Sequence, residues 1–312
     1  MPQCWVIGDA AIDLMPDGDR FLKCPGGTGA NVAVALSRLG VDCALVTKLG
    51  NDPLATFLTG ILEREQVNTE YVSVSERCKT SMIVISIDDL GERDFTFMVK
   101  PSADSQLESS DIPSFQPDDW LCITCFILAQ QSSREATFFA IKQAKEAGAF
   151  ICVDANMRID MWDDKSLLVP KTLEALKVAD IAKMSEDELL LLTSTESIDE
   201  GIEKIQHLPA KIKVITRAEK GAILLTGRSD FHVAGYSTPV VDMTGAGDAF
   251  FAALVSKLIS SRDWGDDQLI EATEFSNACG ALVVGEKGAM SALPDWDTVN
   301  NFMLEKGSEC QH

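Results

Sequence analysis

A chain of 312 residues that is 46% hydrophobic and 24% charged can bury a large core, and its composition is that of a globular rather than a disordered protein. Its formal charge of −21 argues against nucleic acid or an anionic membrane as a partner, because both need clustered positive charge and no basic stripe is present. The start MPQCWVIGDA has no basic segment leading into a long apolar one, and no run approaches the ~20 apolar residues of a membrane span, so a cytoplasmic protein is expected.

CWVIGD reads as a first strand ending in Gly8 and Asp9, with Asp13 a few residues on. Carboxylates at the C-terminal end of such a strand suit polyol hydroxyls, although Asp13 alone reads equally well as a solvated turn residue. CPGGTGANVAVALSRLG opens a helix through Gly26, Gly27 and Gly29, where backbone can approach a ligand closely, and Gly40 closes it. CALVTKLG is the next strand and 53–65 the next helix. The alternating runs TSMIVISID and RDFTFMV, joined by the polar DLGE, then predict a β-hairpin rather than a βα unit.

The α/β rhythm returns with the strand WLCITCF, a helix around SREATFFAIKQAKEAGA, the strand FICVD, a helix near SLLVPKTLEALKVA and the short strand ADIAKM. Ser185 and Glu188 form a capping-box pair that opens another helix. IKVIT and GAILLTG are further strands, and two long helices follow Gly247 and Trp264. This alternation predicts an α/β fold: one domain over 1–312 with a doubly wound, mainly parallel sheet, carrying a small β-sheet lid built from about 14–25 and 79–100.

Nine cysteines are too sparse for a disulfide scaffold, and Cys43, Cys122, Cys125 and Cys152 sit in apolar, strand-like runs as core thiols would. Cys122 and Cys125 have redox-motif spacing but lack the turn that opens a helix. His207, His232 and His312 have no partner at metal spacing and none beside a candidate nucleophile.

The most informative segment is VVDMTGAGDAFFAALVSKL. A strand-like run ends in Asp242 and Thr244, and Gly245, Ala246 and Gly247 then turn tightly into a helix that starts at Asp248. Unsatisfied N–H groups and the positive end of the helix dipole converge there, which suits a phosphoryl group. Asp248 is placed to accept a proton from a hydroxyl held at that point. Without context, the same residues also read as a tight turn with a dipole partner. Neither a loop ending Gly-Lys-Ser/Thr nor GxGxxG after the first strand is present, which removes the two commonest nucleotide fingerprints.

Taken in order, GDAAIDLMP, PGGTGANVAVALSRLG, DANMR, DMTGAGDAFFAAL and EKGAMSALP resemble the ribokinase-like (PfkB-type) carbohydrate kinases over essentially the whole chain. Among them the sequence looks closest to bacterial fructokinases, with aminoimidazole riboside kinases next. The resemblance implies a ribokinase-like fold and transfer of the ATP γ-phosphoryl group to a primary hydroxyl of fructose, with Mg2+ required and K+ as an activator. It makes Asp248 the general base and Gly245, Ala246 and Gly247 the anion hole. Asp13, Gly27 and Asn31 would hold sugar hydroxyls, and Phe97 would cover the sugar from the lid. Asn156 and Arg158 would lie near the phosphates, Thr216 and Gly221 in the nucleotide turn, and Asn277 beside the adenine. Asp242 and Thr244, with backbone carbonyls near Val283, Glu286 and Gly288, resemble the family's monovalent-cation site.

Two departures stand out. Where these kinases often carry an Asn-x-x-Glu motif linked to magnesium and phosphate, this chain has Lys183-Met184-Ser185-Glu186, so Lys183 and Glu186 are expected near the nucleotide. The usual Thr-x-Gly turn reads Thr216-Arg217-Ala218, putting a Cβ where there is normally none, which predicts weaker nucleotide binding. Competing readings are a riboside or other sugar kinase of the same family, and a catalytically silent sugar sensor that keeps the fold. Exposed lid edges make a lid-to-lid homodimer an expectation.

Overall fold

The computed structural model describes residues 3–87, 93–261 and 264–309. Two sheets organise them. Five short apolar runs, β1 (Cys4–Ile7), then β4 (Cys43–Gly50), β8 (Trp120–Thr124), β9 (Phe150–Asp154) and β10 (Ile181–Ser185), are buried on nearly every residue. Continuous burial is what strands covered on both faces require, and these strands pair in parallel. Completed by β5 (Val72–Ser75), β11 (Ile212–Thr216), β12 (Ala222–Leu225) and β13 (Asp230–Val233), the sheet has the order β13-β12-β11-β10-β9-β8-β1-β4-β5. The first two strand pairs of that order, β12–β13 and β11–β12, are antiparallel; the remaining ones are parallel.

The chain runs from β1 outward to β4 and β5 and then returns to the other side of β1 as β8, so the order reverses at β1. At such a reversal the crossovers leave in opposite directions and a crevice opens beyond the strands' C-terminal ends. Helices α1 (Thr28–Arg38), α7 (Ala246–Ser260) and α8 (Asp266–Val284) pack together on one face, with α2 (Pro53–Arg64) and α9 (Trp296–Glu309) beside them. On the other face lie α3 (Gln131–Ala147), α4 (Leu168–Leu176), α5 (Glu186–Thr193) and α6 (Ile198–Ile205). The capping box at the start of α5 forms as its sequence requires: Ser185 Oγ accepts from Glu188 N at 3.2 Å, and Glu188 Oε2 accepts from Ser185 N at 2.8 Å.

The second, smaller sheet occupies the region expected to form the lid, with order β3-β2-β6-β7 built from β2 (Ala11–Asp17), β3 (Arg20–Gly26), β6 (Ser81–Ile87) and β7 (Arg93–Phe97). Its small core is Ala11, Met15, Ile83 and Ile85, with Phe97 and Cys24 packed against them. The hairpin turn expected at 89–92 lies outside the described residues. Asp13 is not the turn residue its sequence setting allowed; it sits within β2 and is buried. Among the described residues the cysteines are free thiols, and no helix is long and apolar enough to cross a membrane.

Candidate active site

The C-terminal ends of β1, β9 and β10 and the N-terminal ends of α1 and α7 meet in the crevice beside the lid. α7 begins after Gly245, whose φ of 85° lies in the left-handed region; a Cβ there would come within 2.8 Å of the Ala289 Cβ. Glycine is therefore required twice over, by conformation and by contact. The amides of Gly247 and Asp248 fall in the first turn, where no intrahelical carbonyl can reach them, and they head the positive end of the helix dipole.

Asp248 is buried. Its Oδ2 accepts from Asn31 Nδ2 at 2.9 Å, out of the first turns of α1, and its Oδ1 from Asn156 Nδ2 at 3.3 Å, just beyond β9. Burial pushes its carboxyl up to about 6, although the Asn31 amide and the charges of Lys183 and Arg158 favour the ionised form; Asp9 acts in the same direction as burial. The Oδ1 atoms of both asparagines are buried without a hydrogen-bond partner in the protein. Two unmet acceptors beside a carboxylate fit a polyhydroxyl ligand, since hydroxyl hydrogens would satisfy them.

Below the turn lies a buried ion pair. Lys183 Nζ stands 3.0 and 3.1 Å from the two oxygens of Asp154, and a Cβ on Gly247 would sit 3.1 Å from the same ammonium. Burial disfavours the charge on Lys183, but the carboxylates of Asp154, Glu188 and Asp248 outweigh it and hold the ammonium above its ordinary range. Arg158 is exposed at the mouth.

Asp9 caps α1 from outside the helix, its Oδ1 accepting from Thr28 N, Thr28 Oγ1 and Gly29 N. The Asp13 carboxylate lies across Gly26, where a Cβ would be 2.2 Å from its Oδ2, and a Cβ on Gly27 (φ 95°) would meet Ala10 Cα at 2.6 Å. Asp13 and Gly27 thus share one rim of the crevice. Phe97 packs against Phe126 with ring centroids 6.2 Å apart, on the lid side.

The remaining expected residues fall into two groups. Around the β11–β12 turn, Thr216 donates to the Met184 carbonyl at 3.5 Å, Gly221 takes φ 87°, and Asn277 donates to the carbonyls of Val233 and Ala234 at 3.3 and 3.0 Å. Ala218 adopts φ 50°, so the backbone keeps the left-handed shape of a glycine turn despite its Cβ. Beside the 245–247 turn, Asp242 accepts from Thr244 N at 2.9 Å and from Gly288 N at 2.7 Å, and the Val284 carbonyl accepts from Val241 and Asp242 N–H. Val283 and Glu286 lie on the same bend, the Val283 carbonyl accepting from Glu286 N at 3.2 Å. Among the described residues, no group of three or more His, Cys, Asp or Glu side chains is arranged to hold a metal ion.

Glu186, the first residue of α5, accepts at Oε2 from Arg217 Nε at 3.2 Å, beside the Thr216–Gly221 turn. The inward carboxylate is Glu188, whose Oε1 accepts from Met157 N at 2.7 Å while its other oxygen completes the capping box. Sequence reasoning saw Glu188 only as a cap. It also passed over Asp154, whose signal was a carboxylate ending the apolar strand FICVD.

A family model described as pfkB family carbohydrate kinase matches residues 1–296. The chain belongs to that family. This pfkB-family kinase is accordingly a phosphotransferase with a sugar acceptor, and its fold is ribokinase-like. It is 41% identical to a fructokinase of Vibrio alginolyticus over 97% of this chain and 99% of that one. The crystal structure of fructokinase from Vibrio cholerae O395 in a fructose-, ADP- and calcium-bound form superposes with a TM-score of 0.93 at 43% identity, covering 97% and 99% of the two chains. Aminoimidazole riboside kinase from Salmonella enterica, complexed with aminoimidazole riboside and an ATP analogue, gives a TM-score of 0.90 at 33% identity, covering 96% and 99%.

Proposed function

We propose that this kinase is a cytoplasmic fructokinase that transfers the γ-phosphoryl group of ATP to O6 of fructose. The observation that carries the reading is Asp248, a buried carboxylate at the head of α7, gripped by two asparagine amides whose own oxygens lack partners. Asp248 takes the proton of the sugar hydroxyl as that oxygen attacks the γ-phosphorus and the bond to the β–γ bridging oxygen breaks, releasing ADP. The amides at 245–247 meet the charge spread over the transferred group, which is the main task of a protein in phosphoryl transfer. Asp13, Gly27 and Asn31 orient the sugar, with Phe97 above it. Asn156, Arg158 and Lys183 face the phosphates, and Thr216, Gly221 and Asn277 border the base.

Mg2+ carried on the nucleotide phosphates would neutralise charge on their oxygens, a role that needs few protein ligands. The Asp242 carboxylate and the carbonyls of Thr244, Val283, Glu286 and Gly288 are an all-oxygen set with one charge, which fits a large monovalent ion. K+ held there would brace the 242–247 turn; a V. cholerae fructokinase variant crystallised with fructose, ADP and potassium ion is in keeping with this. Exposed Phe21, Leu22 and Phe95 on the lid support a homodimer formed lid to lid.

The test is an ATP-to-ADP coupled assay over fructose, ribose, glucose, mannose, tagatose and aminoimidazole riboside. Fructose is expected to give the highest kcat/KM. The similarity to aminoimidazole riboside kinase supplies the second reading, and a riboside preferred by about tenfold, ~1.4 kcal/mol of discrimination, would establish it instead. ADP release unchanged by any acceptor would point to a silent sensor.

A further inference from the structure

We propose that Asp154 is a positioning residue for phosphoryl transfer, holding the Lys183 ammonium beneath the 245–247 turn and fixing Asp248 through Asn156. The inference rests on the reading of Asp248 as general base and adds to it a residue that neither the sugar nor the nucleotide would touch. Asp154 is completely buried at the C-terminal end of β9. Its two oxygens receive the Lys183 ammonium at 3.0 and 3.1 Å, and Oδ1 also accepts from the backbone N–H of Asn156 at 3.3 Å. Asn156 is held at φ 27°, a conformation that non-glycine residues rarely take, and from there its amide reaches Asp248. One carboxylate therefore secures both a cation behind the anion hole and a hydrogen-bond donor on the base.

Strands β9 and β10 enforce this arrangement. They pair in parallel with Lys183 opposite Asp154, and Ala155 N donates to the Lys183 carbonyl at 2.9 Å. The extended lysine side chain can then rise only toward α7. A lysine left unopposed in this space would turn toward the other carboxylates that act on it, Glu188 and Asp248, and a direct pair with Asp248 would tie up the base. Asp154 prevents that by two-point attachment.

The charged groups facing Asp248 are Asp9 beyond β1, Asp154 and Arg158 on the β9 segment, Lys183 on β10, and Glu188 of α5 through its field on Lys183. Of these, Asp154 and Lys183 form the only pair whose charges offset each other by direct contact among the described residues. Removing the two members must therefore move Asp248 in opposite directions. In Asp154→Asn, uncompensated Lys183 favours the ionised base and its titration falls. In Lys183→Met, the attraction is lost and the titration rises. Burial pushes the Asp154 carboxyl up to about 7 even with the ammonium beside it, so without Lys183 it is neutral and the double variant titrates as Lys183→Met does.

The experiment follows the Asp248 carboxyl by 13C NMR in selectively labelled protein, the resonance being assigned with Asp248→Asn, and in parallel records kcat/KM for fructose against pH. We expect the Asp248 midpoint to fall by at least about half a unit in Asp154→Asn and to rise by as much in Lys183→Met, within the ~1–3 units that a nearby charge imposes. The double variant is expected within about 0.3 unit of Lys183→Met, with the acid limb of the rate profile tracking all three. A purely structural role would lower activity without moving the midpoint. If Asp154→Asn does not fold, Lys183→Met and the double variant still decide, since both must rise and by the same amount. Midpoints that stay fixed, or that move in the same direction in the two single variants, overturn the inference. The NMR readout is independent of turnover, so failure of the proposed base, seen as full activity in Asp248→Asn, remains distinguishable from failure of Asp154.

Discussion

Replacing Asp248 by Asn separates what this residue does for the reaction from what it does for the fold. The wild-type carboxyl titrates at about 6 rather than the ordinary 3.8, so keeping it ionised inside the protein carries a penalty of about 3 kcal/mol at neutral pH. The sign follows from the neutral form being favoured in the folded state: the penalty is absent below about pH 3.8, grows from there to about 6, and is complete above it. Asparagine removes the penalty. It also removes a charge that complements the α7 dipole, a loss of about 0.3–1 kcal/mol. Its new amide hydrogens would face the amides of Asn31 and Asn156, but turning one of those side chains over presents an oxygen that now has no partner.

The net expectation is a gain of about 2 kcal/mol at pH 7.5, roughly 3 °C in melting temperature, shrinking as the pH is lowered toward 4. Catalysis goes the other way, because an amide cannot take the hydroxyl proton, and kcat should drop by about 10²–10⁴. Melting curves at pH 7.5 and 5, with kcat and sugar affinity from the same preparation, provide the comparison. A folded variant retaining more than roughly a tenth of wild-type kcat would refute the base assignment. A melting temperature several degrees lower at pH 7.5 would instead make Asp248 a structural residue.

For the wild-type enzyme, kcat/KM should fall tenfold per pH unit below about 6, the value at which Asp248 titrates; a flat profile between pH 5 and 7 would contradict a base at this position. Gly245→Ala should lower kcat by about 10²-fold, since φ 85° and the 2.8 Å approach to Ala289 force the anion-hole turn to move; near-normal turnover would show that the turn is not used. Ala218→Gly should stabilise the protein by about 1 kcal/mol and lower KM for ATP, because it relieves a Cβ at φ 50°; an unchanged KM would mean that the turn already binds nucleotide as a glycine turn does. Exchanging Na+ for K+ at constant ionic strength should raise kcat, and equal rates in Na+, K+ and a bulky organic cation would remove the cation from the 242–247 loop.

By itself the sequence determined the parts whose cause is local. Apolar strand runs, the Ser185 and Glu188 cap, the glycines that open α1 and α7, and the interrupting hairpin all follow from backbone and side-chain preferences over a few residues, so the α/β layout and the smaller sheet were legible. The order of its glycine motifs likewise carried the family. Tertiary structure alone decided which charges meet. Asp154 and Lys183 are 29 positions apart and become partners only because β9 and β10 lie side by side in one register. Asn31 reaches Asp248 across 217 positions because α1 packs on α7. Glu186 and Glu188 are two residues apart on one helix, yet the first reaches Arg217 and the second turns in to Met157 beside the ion pair. Burial has the same origin: a carboxylate's affinity for its proton depends on the water that every surrounding element excludes, and no local stretch of sequence records that sum.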